Sequence, residues 1–389
     1  MDVEAASVIK PTMAQVIERF LPAYRQRYSL TPEQASACQS ILQCQTQALG
    51  GYYLACDHCH YEQARYCSCG NRHCPQCKQR ASEAWQDKQQ GNLLSVPYYH
   101  LVFTLPHEFN GWARLHPEVI YRLVFQAVWQ TLKGFSQSHK RLRGQLGITT
   151  VLHTWGQNLS QHIHLHCLVP GIVLSTNHQH IELAKGEYLY PIKALKKRYR
   201  GILVSLCRQA YQNGDLPQIE SATAVKMVLD EVMKKTWGIH IKPYLSRPET
   251  IVDYLSRYTY RIAISNSRLV AMDKEQVRFR YKDYVDNNQT KIMPLDGVEF
   301  LRRFLQHVLP KGFMRIRHYG FLANAVRQKR LNMLRQLLEM YADRKPQTKT
   351  TKDKPARLAD RSCPKCHQGR MTWLKLIFPK SQERLRCWS

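Results

Sequence analysis

Three stretches in the middle of the chain carry the apolar and β-branched density of strands. Tyr98-Tyr99-His100-Leu101-Val102-Phe103-Thr104-Leu105 is stopped by Pro106. Ile148 to Trp155 and His162 to Val169 read the same way, joined by Gly156-Gln157-Asn158-Leu159-Ser160-Gln161, and Pro170-Gly171 ends the second of them. Residues 112–136 suit an amphipathic helix, and residues 188–236 are basic and mostly helical. A further hairpin is expected around Tyr281-Lys282-Asp283-Tyr284, with its break near Asp286-Asn287-Asn288. Upstream, residues 1 to about 45 read as helical. Thr31-Pro32-Glu33-Gln34 there supplies an N-cap, a proline at the first helical position and a helix through Cys38 and Ile41.

Between these regions the patterning fails. Residues 50–80 are short, polar and cysteine-rich, and a core of their own would be too small without a staple. Residues 81–95 read as a polar helix. Tyr341 to Arg361 is rich in Lys, Arg, Thr, Asp and Pro and reads as an exposed linker before a short cysteine-containing tail. No internal repeat is visible. The expectation is an α+β protein divided into a helical and zinc-binding module (1–95), a catalytic domain (96–340) and a linker with a tail (341–389).

Composition narrows the partner. The 389 residues carry 57 Lys and Arg against 29 Asp and Glu, a net charge of +28 spread along the whole chain. A polyanion explains that excess most economically, and nucleic acid is the commonest polyanion. No apolar run approaches the roughly 18 residues of a membrane span. Met1-Asp2-Val3-Glu4 has neither a basic n-region nor an apolar h-region. A cytoplasmic protein is therefore expected. There is no GxxxxGK[ST] phosphate loop, so no nucleotide cofactor is expected.

In a reducing compartment, thirteen cysteines with paired spacing point to metal rather than disulfides. Cys56-x2-Cys59 and Cys74-x2-Cys77 together offer four thiolates to a tetrahedral Zn²⁺. Cys67, Cys69, His58, His60 and His73 lie in the same stretch and Cys44 just upstream, so a different choice of four that includes Cys69, or a second zinc, stays open. A closed cysteine site would be structural, leaving Arg65, Arg72, Lys78 and Arg80 for phosphates. In the tail, Cys363 and Cys366, with His367 and Cys387 nearby, make half of a second zinc site.

His162, His164 and His166 alternate with Ile163, Leu165 and Cys167, so in a strand the three imidazoles share one face. Three histidines together are costly to bury unless something uses their nitrogens, and a divalent metal is the usual user. Downstream, Ser246-Arg247-Pro248-Glu249 reads as a capping box that opens a helix. Tyr254 and Tyr258, four apart on that helix, share a face. Tyrosine is a poor nucleophile at its ordinary pKa near 10. A metal that polarises a phosphate, with cations such as Arg257, Arg261, Lys234 or Lys235, makes its attack feasible.

These motifs occur in one order. Cys56-Asp57-His58-Cys59 is followed by Ser68-Cys69-Gly70-Asn71-Arg72-His73-Cys74-Pro75-Gln76-Cys77. Then come His153-Thr154-Trp155-Gly156-Gln157-Asn158-Leu159, His162 to Gly171, Tyr254-Leu255-Ser256-Arg257-Tyr258 and Arg317-His318-Tyr319-Gly320. Over nearly its whole length the chain resembles the two-tyrosine HUH transposases of the insertion sequence 91 family. The resemblance implies an HUH-type antiparallel sheet with flanking helices. It also implies His164 and His166 as metal ligands with His162 as the candidate third, Mg²⁺ or Mn²⁺ as the ion, and Tyr254 and Tyr258 as nucleophiles. The implied reaction nicks and rejoins single-stranded DNA at transposon ends through a 5′-phosphotyrosine, as rolling-circle transposition requires. Three rivals share parts of the pattern: a replication initiator or relaxase with the same chemistry, an inactive zinc-dependent DNA-binding regulator, and an HxH metal hydrolase that would work without either tyrosine.

Overall fold

The computed structural model describes residues 10–77, 93–139, 142–186, 189–219, 221–245, 262–284, 286–342 and 362–379. In chain order the elements are α1 (Met13–Arg27), α2 (Pro32–Gln43), β1 (Gly51–Cys56), β2 (Glu62–Tyr66), β3 (Tyr98–Thr104), α3 (Asn110–Leu115), α4 (Pro117–Ser138), β4 (Gln145–Trp155), β5 (Gln161–Pro170), β6 (Ile172–Leu174) and β7 (Ile181–Leu183). They continue with α5 (Ile192–Gln212), α6 (Ala222–Lys234), β8 (Ile239–Leu245), β9 (Leu269–Met272), β10 (Gln276–Asp283), β11 (Gln289–Asp296), α7 (Gly297–Leu305), β12 (Ile316–Gly320), α8 (Arg327–Ala342) and β13 (Met371–Ile377). This is α+β, as the patterning predicts. Among the described residues no helix is long and apolar enough to cross a membrane.

Two compact units result, and neither is a continuous segment. The first takes residues 1–81, 264–302 and 347–389; the second takes 82–263 and 303–346. In the first unit, α1 and α2 both start with capping boxes. The Thr12 hydroxyl accepts from the Gln15 N–H and Gln15 Oε1 accepts from the Thr12 N–H; Thr31 and Gln34 repeat the arrangement. α1 buries Met13, Val16, Ile17, Phe20, Leu21 and Tyr24, an i, i+3, i+4, i+7 stripe. Two three-stranded sheets complete the unit, ordered β13-β1-β2 and β11-β10-β9. The hairpin expected near residue 284 is β10–β11, and Asn287 and Asn288 both take positive φ in its turn, which asparagine tolerates.

The tail does not stand apart. β13 pairs antiparallel with β1 from Gly51↔Ile377 to Cys56↔Met371. Beyond the last pair, the Asp57 N–H donates to the Arg370 carbonyl and the Arg370 N–H donates to Asp57 Oδ1 at 2.7 Å. The Cys363–Cys366 turn is thereby delivered to the Cys56–Cys59 turn.

The second unit is built on a sheet ordered β7-β6-β4-β5-β3-β8, with β12 also paired to β4 and every pairing antiparallel. Opposed residues share a face, so Leu165 with Phe103 and Leu152, and Cys167 with Leu101, line one side. That side is covered by Val124 and Val128 of α4 and by Leu195, Tyr199 and Leu203 of α5. The other side carries Tyr98 and Leu168 at one end, packed with Leu331 and Leu334 of α8, and the histidines towards the other. At the end of β12, Gly320 takes φ +62°, and a Cβ there would lie 1.7 Å from the Leu146 carbonyl oxygen, so only glycine fits this last position of the Arg317–Gly320 motif.

Candidate metal centres

The histidine centre is assembled by register. β4 and β5 pair with His153 opposite His164, and β5 and β3 pair with His166 opposite Val102. Ring nitrogens of His153, His164 and His166 all lie within 4.8 Å of one another, and the first and third rings are buried. His162, the same-face candidate for the third ligand, is exposed, and its ring stands beside that of His164 at 4.8 Å between centroids without joining the cluster. The grouping has a simple cause. Residues at i and i+4 of a strand are about 13 Å apart along it, whereas a residue opposed on the neighbouring strand is about 5 Å away.

Two contacts orient the rings. His166 Nδ1 is 2.9 Å from Nε2 of His100 on β3, a buried imidazole that stacks on it at 5.1 Å. His164 Nδ1 is 2.8 Å from the His162 carbonyl oxygen and donates to it. Both contacts use Nδ1, so a metal held by His164 and His166 would be held through Nε2. An all-imidazole donor set fits a first-row divalent ion, and Mn²⁺ better than Mg²⁺. Replacing His100 with Phe, which keeps the stack and removes the nitrogen, is expected to weaken Mn²⁺ binding about 10- to 100-fold. Titration of free Mn²⁺ by electron paramagnetic resonance measures this, and unchanged affinity would remove His100 from the site.

The turn that sets this register is pinned from outside. Leu159, at φ +62°, presents its carbonyl to Nε2 of His307 at 3.1 Å and to the Gln306 amide at 2.9 Å. The Thr154 hydroxyl bonds His307 Nδ1 at 3.1 Å, and Arg303 donates to the Asn158 carbonyl. His307 is 2% exposed, and burial pulls its pKa down to about 4. Its neutral form is therefore the stable one. The unfolded chain, with an ordinary pKa near 6.5, binds this proton first, so the contribution is complete above about pH 6.5 and is lost as pH falls towards 4. Over that window the loss is about 3 kcal/mol. Urea unfolding at pH 7, 6, 5 and 4 checks it. His307→Phe should lower stability at pH 7 and remove about one proton from the slope; an unchanged slope would contradict the assignment.

The cysteines form two centres of four. Cys44, Cys69, Cys74 and Cys77 make one; Cys56, Cys59, Cys363 and Cys366 make the other. Sulfur separations of 3.4 Å for Cys44–Cys77, 3.5 Å for Cys69–Cys77, 3.6 Å for Cys59–Cys363 and 3.7 Å for Cys56–Cys366 are close to the ~3.8 Å edge of a tetrahedron with 2.3 Å zinc–sulfur bonds. Backbone N–H groups point at the sulfurs, from His58 and Cys59 to Cys56, from Asn71 to Cys69, from Lys365 to Cys363 and from Gly369 to Cys366. Such donors favour thiolate, and the N–H groups of Gly369 and Gln368 lead in drawing the Cys366 thiol down to about 6. Of the choices of four that the spacing left open, the described residues group Cys69 with Cys74 and Cys77 and leave Cys56 and Cys59 to the tail: β1 and β2 separate the two CxxC turns, and each completes its four elsewhere.

Arg72, half-buried, lies on the loop between Cys69 and Cys74, and burial lowers its pKa. Lys235 is paired with Glu108 and with Glu231. Tyr254, Tyr258, Arg257, Arg261, Lys78, Arg80 and Cys387 lie outside the described residues. Spacing did not select His153, His100 or the grouping of Cys44 with Cys69, although all four residues stand in segments that it singled out.

Comparison with known families matches residues 16–105 to a "Transposase zinc-binding domain" and residues 147–330 to a family described as "Putative transposase". The chain is 37% identical over 391 residues to the "Putative transposase y4qJ" of Sinorhizobium fredii, spanning 97% of this chain and 98% of that one. It is 28% identical over 304 residues to the "Transposase for insertion sequence element IS801" of Pseudomonas savastanoi pv. phaseolicola, spanning 74% and 69%. No solved structure matches it.

Proposed function

Since the chain belongs to the IS91 family of transposases, we propose that it cuts and rejoins single-stranded DNA at transposon ends by tyrosine attack beside a divalent cation. The observation that carries this reading is the trio of imidazoles from adjacent strands, His153, His164 and His166. These residues would hold Mg²⁺ or Mn²⁺, which when bound supplies a Lewis acid for a phosphate oxygen. The oxygen of Tyr254 or Tyr258 attacks phosphorus. A tyrosine O–P bond forms, the P–O3′ bond breaks, and the leaving oxygen takes up a proton to become a free 3′-OH. Energy is kept in the phosphotyrosine, so the reverse attack by a 3′-OH rejoins strands without ATP. The second tyrosine allows a second cleavage while the first adduct persists. The net charge of +28 favours the phosphate backbone, and Arg72, Lys78, Arg80, Arg257 and Arg261 are the candidate contacts.

The direct test follows the label. A single-stranded transposon end labelled at its 3′ terminus, incubated with the protein and Mn²⁺, should run with the protein on a denaturing gel. A 5′ label should leave on a shorter strand ending in 3′-OH. Peptide mapping should place the adduct on Tyr254 or Tyr258. Cleavage that leaves both fragments protein-free would overturn the proposal in favour of a metal hydrolase.

A further inference from the structure

We propose that the chain holds two structural zinc ions, and that the second is a clasp joining Cys56 and Cys59 to Cys363 and Cys366. The two halves come from positions 304 apart in sequence for the Cys59–Cys363 pair. The matched zinc-binding domain ends at residue 105 and contains only the first half.

Three independent features build the site. The sulfurs stand at zinc-like separations, 3.6 Å for Cys59–Cys363 and 3.7 Å for Cys56–Cys366. Each half is a turn whose own backbone N–H groups point at its first cysteine, so both halves are preorganised as ligand turns. The approach is then fixed by β13 on β1, whose pairing reaches Cys56↔Met371, and by the reciprocal Asp57–Arg370 backbone contacts. Gly369 allows the close fit: a Cβ there would lie 2.4 Å from Cys56 Sγ.

The physical consequence is coupling. Either half alone offers two thiolates, too few for a closed tetrahedral site, so zinc binds tightly only when the tail is in place. The sheet in turn has a small apolar cluster, with Cys56, Cys363 and Met371 as its buried members, so strand and metal hold each other. Zinc on Cys44, Cys69, Cys74 and Cys77 does not depend on the tail.

The test uses the full chain. Metal analysis after gel filtration should give two zinc ions per chain. Cys363→Ser/Cys366→Ser should give one, and so should Cys69→Ser/Cys74→Ser. In a second measurement independent of any cysteine variant, a protease site is inserted after Lys352 and cut. The C-terminal fragment should co-elute with the remainder and be released by EDTA. The proposal is overturned if the unaltered chain carries one zinc, if Cys363→Ser/Cys366→Ser still carries two, or if the cut fragment separates while zinc stays bound.

Discussion

His153→Ala is expected to abolish cation-dependent strand cleavage as completely as His164→Ala, by about 100-fold or more, while His162→Ala retains activity within a few-fold. The asymmetry follows from register. His153 opposes His164 across β4 and β5, and its ring lies 4.5 Å from that of His166 and 5.3 Å from that of His164. In the proposed centre, losing it removes one of three ligands. His162 stands one step outside, so its loss leaves the trio whole. Single-turnover cleavage of a single-stranded end at saturating Mn²⁺ measures chemistry, and a gel shift without cation measures DNA binding separately. His153→Ala should bind DNA normally and cut it poorly. If His162→Ala lost as much as His164→Ala while His153→Ala did not, the trio would be wrong.

The sequence nearly contains this answer. Two strand-like runs joined by six residues, five of them polar or small, make an antiparallel hairpin, and folding Ile148–Trp155 onto His162–Val169 sets residue 153 against 164. What periodicity along one strand cannot reveal is which face-mates come from the neighbour, because that information lies in pairing. His100 is further from reach still. It stands on β3, beyond β5, and only the assembled sheet brings its Nε2 to 2.9 Å from His166.

The cysteines repeat the lesson over a longer distance. Three CxxC pairs with Cys44 and Cys69 make eight thiols, which divides into two tetrahedra, but the count does not say how to divide them. The nearest pairing in sequence is Cys56–Cys59 with Cys74–Cys77, and it is not the one found. β2 turns back on β1 and carries the chain away to Cys67, where the Gln45 N–H donates to the Cys67 carbonyl and brings the Cys44 region alongside. β13 then occupies the other edge of β1. The helix cap at Thr31, strand boundaries around Pro106 and Pro170, and the Asn287–Asn288 turn are local and were legible. Partners across a sheet edge depend on closing long loops and were not.

Replacing both Tyr254 and Tyr258 with Phe is expected to eliminate the covalent adduct and reduce cleavage by about 10³-fold or more, since no second group in the proposed reaction supplies the attacking oxygen. The single variants divide the two steps. If one tyrosine opens the donor strand and the other receives the second cleavage, one single variant forms no adduct on an isolated transposon end. The other forms it normally but fails to give joined product when a second strand is supplied. The substitution removes one oxygen and keeps the ring, so DNA binding and the zinc content should not change, and both are measured on the same samples. The three histidines cannot make this distinction: a hydrolase needs them equally, because a cation that polarises phosphate serves water as well as tyrosine. Only the fate of the 5′ phosphate separates the two. Cleavage by the double variant at the unaltered rate, with a free 5′ phosphate, would mean that the histidine centre activates water and that Tyr254 and Tyr258 serve the fold.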